Sequence, residues 1–282
     1  MATNDLPTMP EIMAHVPEAI RSRHTEMSFE EYSDKRINDM NSIDGNLTGY
    51  DCPICKNKGV IYSHDGIYEV SRECECMKIR RSIWNIEKSG LKNLLDKYTF
   101  ENYKVTEPWQ KVFKESAERF INDHTGKWFY AGGQVGCGKT HICTAIVKEL
   151  LKQGIPARYM LWRDEVVTLK AVVNDEVEYP KLINPLKTVP VLYIDDFFKT
   201  GDELDKFGNL VKKRPTQGDI NVAFEILNYR YNNDKLITII SSERTIDELL
   251  DCDEAVGSRI YQRTKEYCKV CPQDIKRNFR MR

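Results

Sequence analysis

The sequence has no apolar run approaching the ~18 residues that a helix needs to cross a bilayer, so a helical membrane span is excluded. Its first residues, Met1 to Met13, carry neither Lys nor Arg and no apolar signal core, so a secretory leader is not expected. Net charge is almost absent too: 42 Lys and Arg face 43 Asp and Glu, which excludes a uniformly basic nucleic-acid coat. No internal repeat and no low-complexity segment is visible. These absences place the chain in a reducing cytoplasm, where its nine cysteines read as metal ligands or buried thiols rather than disulfides. What remains is a chain of 282 residues, 41% hydrophobic and 30% charged, enough for a sizeable core in one large domain or two.

The charge is unevenly spread. Residues 1–50 hold four Lys/Arg and nine Asp/Glu, whereas residues 255–282 hold eight and two. The two ends are either interaction surfaces or solvated faces. Residues 8–42 read as one or two short helices. Ser28 and Glu31 form a capping box, and Phe29, Tyr32, Ile37 and Met40 form a loose apolar stripe that must pack on the rest of the chain or on a partner. Val60–Tyr62 and Ile67–Val70 read as strands around an Asp65-Gly66 hairpin turn. Met77–Asn93 then reads as helical, with Ile79, Ile83, Ile86 and Leu91 on one face. After Pro108, strands at 128–131, 157–162, 189–194 and 236–241 alternate with helices at 141–152, 164–173 and 224–233. That alternation implies a mostly parallel sheet with helices on both faces.

Gly133-Gln134-Val135-Gly136-Cys137-Gly138-Lys139-Thr140 follows a strand and opens a helix, as a phosphate-binding loop requires. Its glycines let successive N–H groups turn toward a phosphate, and the helix N-terminus, from Lys139 through His141, adds a favourable dipole. Lys139 is expected to bridge the β- and γ-phosphates of ATP, and the Thr140 hydroxyl to ligate Mg²⁺. Val191-Leu192-Tyr193-Ile194-Asp195-Asp196 is an apolar strand ending in two carboxylates at the ligand-binding edge of the sheet. Asp195 is expected to hold Mg²⁺ and Asp196 to polarise the attacking water, although many such ATPases carry Glu at the second position.

Cys52, Cys55, Cys74 and Cys76 form a C-x2-C-x18-C-x-C pattern with the hairpin between the pairs. Two knuckles brought together in this way supply four thiolates to one tetrahedral Zn²⁺, the alternative being buried free thiols. Cys268 and Cys271 are spaced like a knuckle but have no second pair nearby, so a structural role is favoured for them.

Together these motifs resemble the DnaC/DnaI-type replicative helicase loaders, above all their phage and prophage versions. The resemblance spans roughly residues 50–282 and rests on Cys52-Pro-Ile-Cys55 with Cys74-Glu-Cys76, the phosphate loop and Tyr193-Ile194-Asp195-Asp196-Phe197. It continues through Ile226–Tyr231, Thr238–Glu243 and Asp253–Ile260. It implies an α/β fold: an AAA+ ATPase core at 106–282, preceded by a helical partner-binding segment at 1–48 and a zinc-binding module with linker helix at 49–105. It also implies an ATPase that binds a DnaB-type helicase hexamer through its N-terminal region, contacts single-stranded DNA, and self-associates through the ATPase domain. By the same resemblance, Ser241–Glu243 is the sensor 1 region, where many relatives have Asn in place of Glu243. Arg259 matches an arginine finger that reaches a neighbouring subunit, and Arg280 resembles a tail element that approaches nucleotide. Read alone, Arg259 is equally a surface salt-bridge residue. Trp162-Arg163, Lys170 and the loop Lys206–Arg214 with Phe207 are the candidates for DNA phosphates and stacked bases. Two other functions fit the same motifs: an IstB-type transposition helper, against which the four-cysteine module argues, and a zinc-containing adaptor whose ATP site is only a switch.

Overall fold

The computed structural model describes residues 28–65, 68–86 and 92–281, and the chain divides into two units, Met1–Met77 and Lys78–Arg282. The division falls within neither of the expected boundaries, 48/49 and 105/106, for reasons visible in the packing of each unit.

In the first unit, α1 (Phe29–Ser42) starts with the expected capping box: Ser28 Oγ accepts from the Glu31 N–H at 3.1 Å and Glu31 Oε2 from the Ser28 N–H at 2.8 Å. The buried face differs from the expected stripe. Ser33 and Ile37 are buried, whereas Tyr32 is 57% exposed. That face lies on a hairpin of β1 (Val60–His64) and β2 (Glu69–Glu73), antiparallel from Val60↔Glu73 to His64↔Glu69. The Asn41 side-chain amide pairs with the Tyr62 backbone in both directions, at 2.9 and 3.1 Å. The Lys58 ammonium closes the helix C-terminus by donating to the carbonyls of Met40, Asn41 and Ile43 at 2.7–2.8 Å, where a cation also opposes the helix dipole. Residues 29–42 are thus joined to the cysteine-bearing hairpin. Gly66 and Ile67 of the expected turn lie outside the described residues.

α2 (Cys76–Ile86) leads into the second unit, where α3 (Lys92–Lys97) packs on α5 (Lys139–Lys152). Lys148 Nζ donates to the Leu95 carbonyl at 2.8 Å. Residues 92–97 thus pack within the second unit. Five parallel strands form the sheet: β3 (Phe129–Gly133), β4 (Ala157–Leu161), β5 (Val191–Asp195), β8 (Ile237–Ser241) and β9 (Cys268–Cys271), in the spatial order β4-β5-β8-β3-β9. β3, β5 and β8 are buried along their whole length, as continuous apolar runs in the middle of a parallel sheet require. Side chains alternate between faces. Leu192, Ile194 and Ile240 meet α6 (Trp162–Ala171), α7 (Glu178–Thr188), α8 (Gln217–Tyr231), α9 (Ile246–Cys252) and α10 (Glu254–Thr264). On the other face Phe129 meets Phe120 of α4 (Pro108–Asn122) at 5.5 Å between rings. An exposed antiparallel pair, β6 (Asp202–Leu204) and β7 (Leu210–Lys212), interrupts the path from β5 to α8.

Cys268 and Cys271 lie in edge strand β9, opposite Tyr130 and Gly133, which accounts for them without metal. Arg230 of α8 is fully buried without a carboxylate partner in the described structure. Its guanidinium donates to the carbonyls of Leu186, Lys187, Val189, Pro190 and Ile237 and to Thr238 Oγ1. Burial lowers its pKa to about 9, and its five donors tie the α7–β5 connection to the start of β8.

Candidate functional site

The C-terminal ends of β3, β4, β5 and β8 converge. The register sets Leu161 opposite Asp195 and Ala131 opposite Ser241, and the loop from β3 to α5 crosses beside them. Gly133 and Gly136 have φ of 91° and 72°, in the left-handed region that favours glycine. A Cβ at Gly133 would come within 2.1 Å of the Cys271 carbonyl, and one at Gly136 within 2.0 Å of Asn278 Oδ1. The loop is therefore threaded against the C-terminal tail. Gln134 N–H donates to the Cys271 carbonyl at 3.1 Å and Phe279 N–H to the Gly136 carbonyl at 3.0 Å.

Lys139 is 7% exposed, and its ammonium donates to the carbonyls of Gly133 (2.8 Å) and Gln134 (2.7 Å). Thr140 Oγ1 donates to Asp195 Oδ1 at 3.3 Å, so the two expected Mg²⁺ ligands are adjacent. Asp195 is fixed by further donors: Tyr159 OH on Oδ2 at 3.1 Å, and Ser241 Oγ and the Asp196 N–H on Oδ1. Burial and the neighbouring Asp195 push the Tyr159 hydroxyl pKa up, keeping it a donor. Asp196 has a left-handed backbone, φ 54°, and its N–H also donates to Ser241 Oγ at 3.2 Å. Its Oδ2 lies 2.9 Å from Lys199 Nζ, and the same ammonium lies 2.9 Å from Glu243 Oε1. Burial alone would lower the Lys199 pKa, but the two carboxylates outweigh it and raise it.

These groups open on a cleft of about 200 Å³ lined by Val135, Gly136, Gly138, Lys139, Thr140, His141, Asp196, Lys199, Glu243, Tyr98, Phe279 and Arg280. The His141 ring stacks on Tyr98 with centroids 4.7 Å apart and pairs through Nε2 with the Thr99 carbonyl at 2.8 Å. Burial lowers its pKa, so the ring is neutral near pH 7. The Cys137 thiol meets that of Cys271. That hydrogen bond and the Lys139 charge outweigh burial and bring its pKa to about 7. Lys199, Tyr98, Tyr159 and Phe279 are absent from the sequence-based set. Lys199 lies only three residues beyond Asp196, but its second partner, Glu243, lies beyond the end of another strand, β8.

Arg259 does not line this cleft. Its Nε donates to Asn228 Oδ1 at 3.1 Å and Nη1 to the Ala255 carbonyl at 2.8 Å, with the guanidinium 4.9 Å from the Phe224 ring centroid and 5.5 Å from that of Tyr231. Among the described residues no carboxylate forms a salt bridge with it. The expected DNA contacts fare unevenly. Trp162 is 2% exposed and sits edge-on to Phe197 and Phe198, so it cannot stack on a base. Lys170 is paired with Asp219 at 2.6 Å and Lys212 with Glu248 at 2.8 Å. Phe207, in contrast, is 77% exposed between β6 and β7, with the Lys206 ammonium 5.0 Å from its ring.

In the first unit Cys52, Cys55, Cys74 and Cys76 are all buried, with their sulfurs within 4.8 Å of one another. The separations are 3.8 Å for Cys52–Cys74 and 3.5 Å for Cys55–Cys76. A tetrahedron with zinc–sulfur bonds of about 2.3 Å has edges of about 3.8 Å, so the donor set fits Zn²⁺. Lys56 and Asn57 take left-handed φ of 49° and 64°, and the turn they form lets the Gly59 N–H donate to Cys55 Sγ at 3.3 Å. Burial opposes ionisation of Cys55, but this bond and the neighbouring thiols bring its pKa down to about 7.

Comparison with known proteins agrees with this arrangement. The family described as the bacterial DnaA ATPase domain matches residues 94–264. YqaM of Bacillus subtilis (strain 168) is 32% identical over 214 residues, 72% of this chain and 64% of YqaM, so the chain spans less than two thirds of that protein. The phage-like element PBSX protein XkdC of the same organism is 31% identical over 231 residues, 78% of this chain and 82% of XkdC. The replicative helicase loader DnaC of Escherichia coli (strain K12) is 29% identical over 130 residues, 45% of this chain and 52% of DnaC. A crystal structure of the DnaC helicase loader superposes with a TM-score of 0.50 at 20% identity, covering 63% of this chain and 97% of that one, a likeness of fold. Among the described residues no helix is long and apolar enough to cross a membrane.

Proposed function

Because the chain belongs to the bacterial DnaA ATPase-domain family, we propose that it is an ATP-dependent loader that binds a replicative DnaB-type helicase and helps place it on single-stranded DNA. The observation that carries this reading is the meeting of Thr140 with Asp195 at the crest of a parallel sheet, in a cleft that Lys139 also lines. The loop's N–H groups and Lys139 hold the phosphates of ATP once the ammonium leaves the Gly133 and Gln134 carbonyls. Thr140 and Asp195 are the ligands for Mg²⁺, which supplies charge neutralisation to the phosphates when bound. Asp196 orients the water, and Arg259, lying outside its own cleft, serves the site of a neighbouring subunit. Cys52, Cys55, Cys74 and Cys76 bind one Zn²⁺. The first unit is the helicase-binding part, and Phe207 with Lys206 gives a DNA base a face and a nearby cation.

A second reading, an ATP-switched adaptor with little turnover, is favoured by the Asp196–Lys199 ion pair, because a carboxylate neutralised by an ammonium is a poor base. ATP turnover measured with and without single-stranded DNA and helicase separates the two. The loader reading expects turnover that single-stranded DNA alters and that Lys139→Ala abolishes. Tight ATP binding with no turnover under any of these conditions selects the adaptor.

A further inference from the structure

Building on the ATPase reading above, we propose that Lys199 is the residue by which the cleft distinguishes a nucleoside triphosphate from a diphosphate: it exchanges Asp196 for the terminal phosphate while Glu243 holds it in place. The ammonium lies between two carboxylates, 2.9 Å from each, and lines the same cleft as Lys139 and Thr140. Its side chain is 27% exposed, so a ligand in the cleft can reach it.

The backbone beneath it is stiff. Asp196 and Phe198 both have left-handed φ, 54° and 52°, the Lys199 N–H donates to the Asp196 carbonyl at 3.0 Å, and Phe197 and Phe198 are sealed at 0% and 1% exposure. The Phe197 N–H is bonded to the Ser241 carbonyl and the Phe198 carbonyl to Arg244 Nε. Any exchange of partners is therefore made by the flexible lysine side chain over a fixed turn.

The charges give that exchange a direction. A phosphate loop cradles the inner phosphates, so the third phosphate is the one directed toward the strand-end carboxylates. Asp196 and Glu243 would repel it, and Lys199 is the cation that already stands between them. A phosphate oxygen competes with Asp196 for this ammonium, whereas Glu243 remains bonded and keeps the lysine at the mouth of the cleft. When the lysine moves, Asp196 loses its neutralising partner and becomes available to water. A diphosphate ends one group short and leaves the pair closed. The two residues that depart from the commoner pattern, Asp196 and Glu243, thus act as a set through Lys199.

The test is equilibrium binding of a non-hydrolysable ATP analogue and of ADP, each with Mg²⁺, to the full chain, its fold checked by thermal melting. Lys199→Met is expected to weaken the triphosphate analogue by about tenfold and ADP by less than about twofold, the scale of one partly shielded charge-assisted contact. Lys199→Arg should restore the preference. Glu243→Gln, which leaves the lysine present but unclamped, should lower the preference for the triphosphate by about threefold and serves if Lys199→Met fails to fold. An unchanged triphosphate-to-diphosphate ratio in Lys199→Met or in Glu243→Gln, or an equal loss of both nucleotides, overturns the assignment. If the wild type binds both nucleotides and Lys139→Ala loses both, such a result removes only this inference. A wild type that binds neither removes the ATPase reading with it.

Discussion

The two units of this chain are held together by different physics. The second has a five-stranded parallel sheet with helices packed on both faces, and its central strands are buried along their whole length. Among the described residues before Met77, the first has one helix and one hairpin, with Ile37 and four cysteines as its buried apolar side chains. So small a core does not offset chain entropy, and cross-links or metal normally supply the difference. A unit stabilised by apolar area tolerates loss of a ligand, whereas one organised around four sulfurs does not.

The sharpest break in this comparison comes from removing metal. Structural zinc in small domains contributes about 10–16 kcal/mol of apparent binding free energy, and there it amounts to folding free energy. Cys52→Ser, or strong chelation, should therefore melt the first unit while the second retains its cooperative transition and its nucleotide binding. Hydrogen exchange read separately over residues 45–77 and 108–271 checks this, and equal protection of both segments without metal would refute it.

The next largest effect lies in turnover. A guanidinium supplied by a neighbouring subunit accelerates hydrolysis in other nucleotide hydrolases by about 10³–10⁵. Arg259→Ala should bind ATP normally but turn it over slowly, and mixing it with Lys139→Ala subunits should recover part of the rate. If the mixture of folded, assembled variants stays inactive, Arg259 acts within its own chain or not at all. In the second unit the polar counterpart of the four-thiol site is Arg230, whose loss removes the donors that it supplies to five backbone carbonyls. Arg230→Met is expected to cost about 3 kcal/mol or more in denaturant unfolding, with zinc content unchanged.

The smallest expected effect is on acid stability. Burial raises the Asp219 carboxyl, but bonds from Lys170 and Thr216 outweigh it and hold its pKa below the ordinary 3.8. Its stabilising contribution is therefore present above about pH 4 and fades as pH falls through the lowered value. Asp219→Asn should flatten that limb of the second unit's stability profile and leave the first unit's unchanged.

Much of the second unit is legible in its sequence because its central strands are continuous apolar runs and its nucleotide loop is a contiguous motif. The strand at 191–195 and the loop at 133–140 need no knowledge of distant residues. β9 escapes notice because Cys-Lys-Val-Cys is short and becomes a strand only by pairing with β3. α8 starts at Gln217, seven residues before the apolar pattern at Phe224, although the Thr216–Asp219 capping box is readable in the sequence. Trp162 looks available for stacking in sequence, but it is covered by two phenylalanines from the far end of β5. Lys199 is the hardest to read, because its role depends on Glu243, which lies beyond the end of β8 and reaches it only when β5 and β8 pair.

The most direct test of the central claim is ATP-dependent placement of a DnaB-type helicase on circular single-stranded DNA, comparing zinc-loaded wild type with Lys139→Ala. The account predicts that the wild type places helicase on the circle when ATP is present, and that Lys139→Ala retains the helicase but leaves it off the DNA. Equal placement by both proteins, or no association of the wild type with helicase, would contradict it.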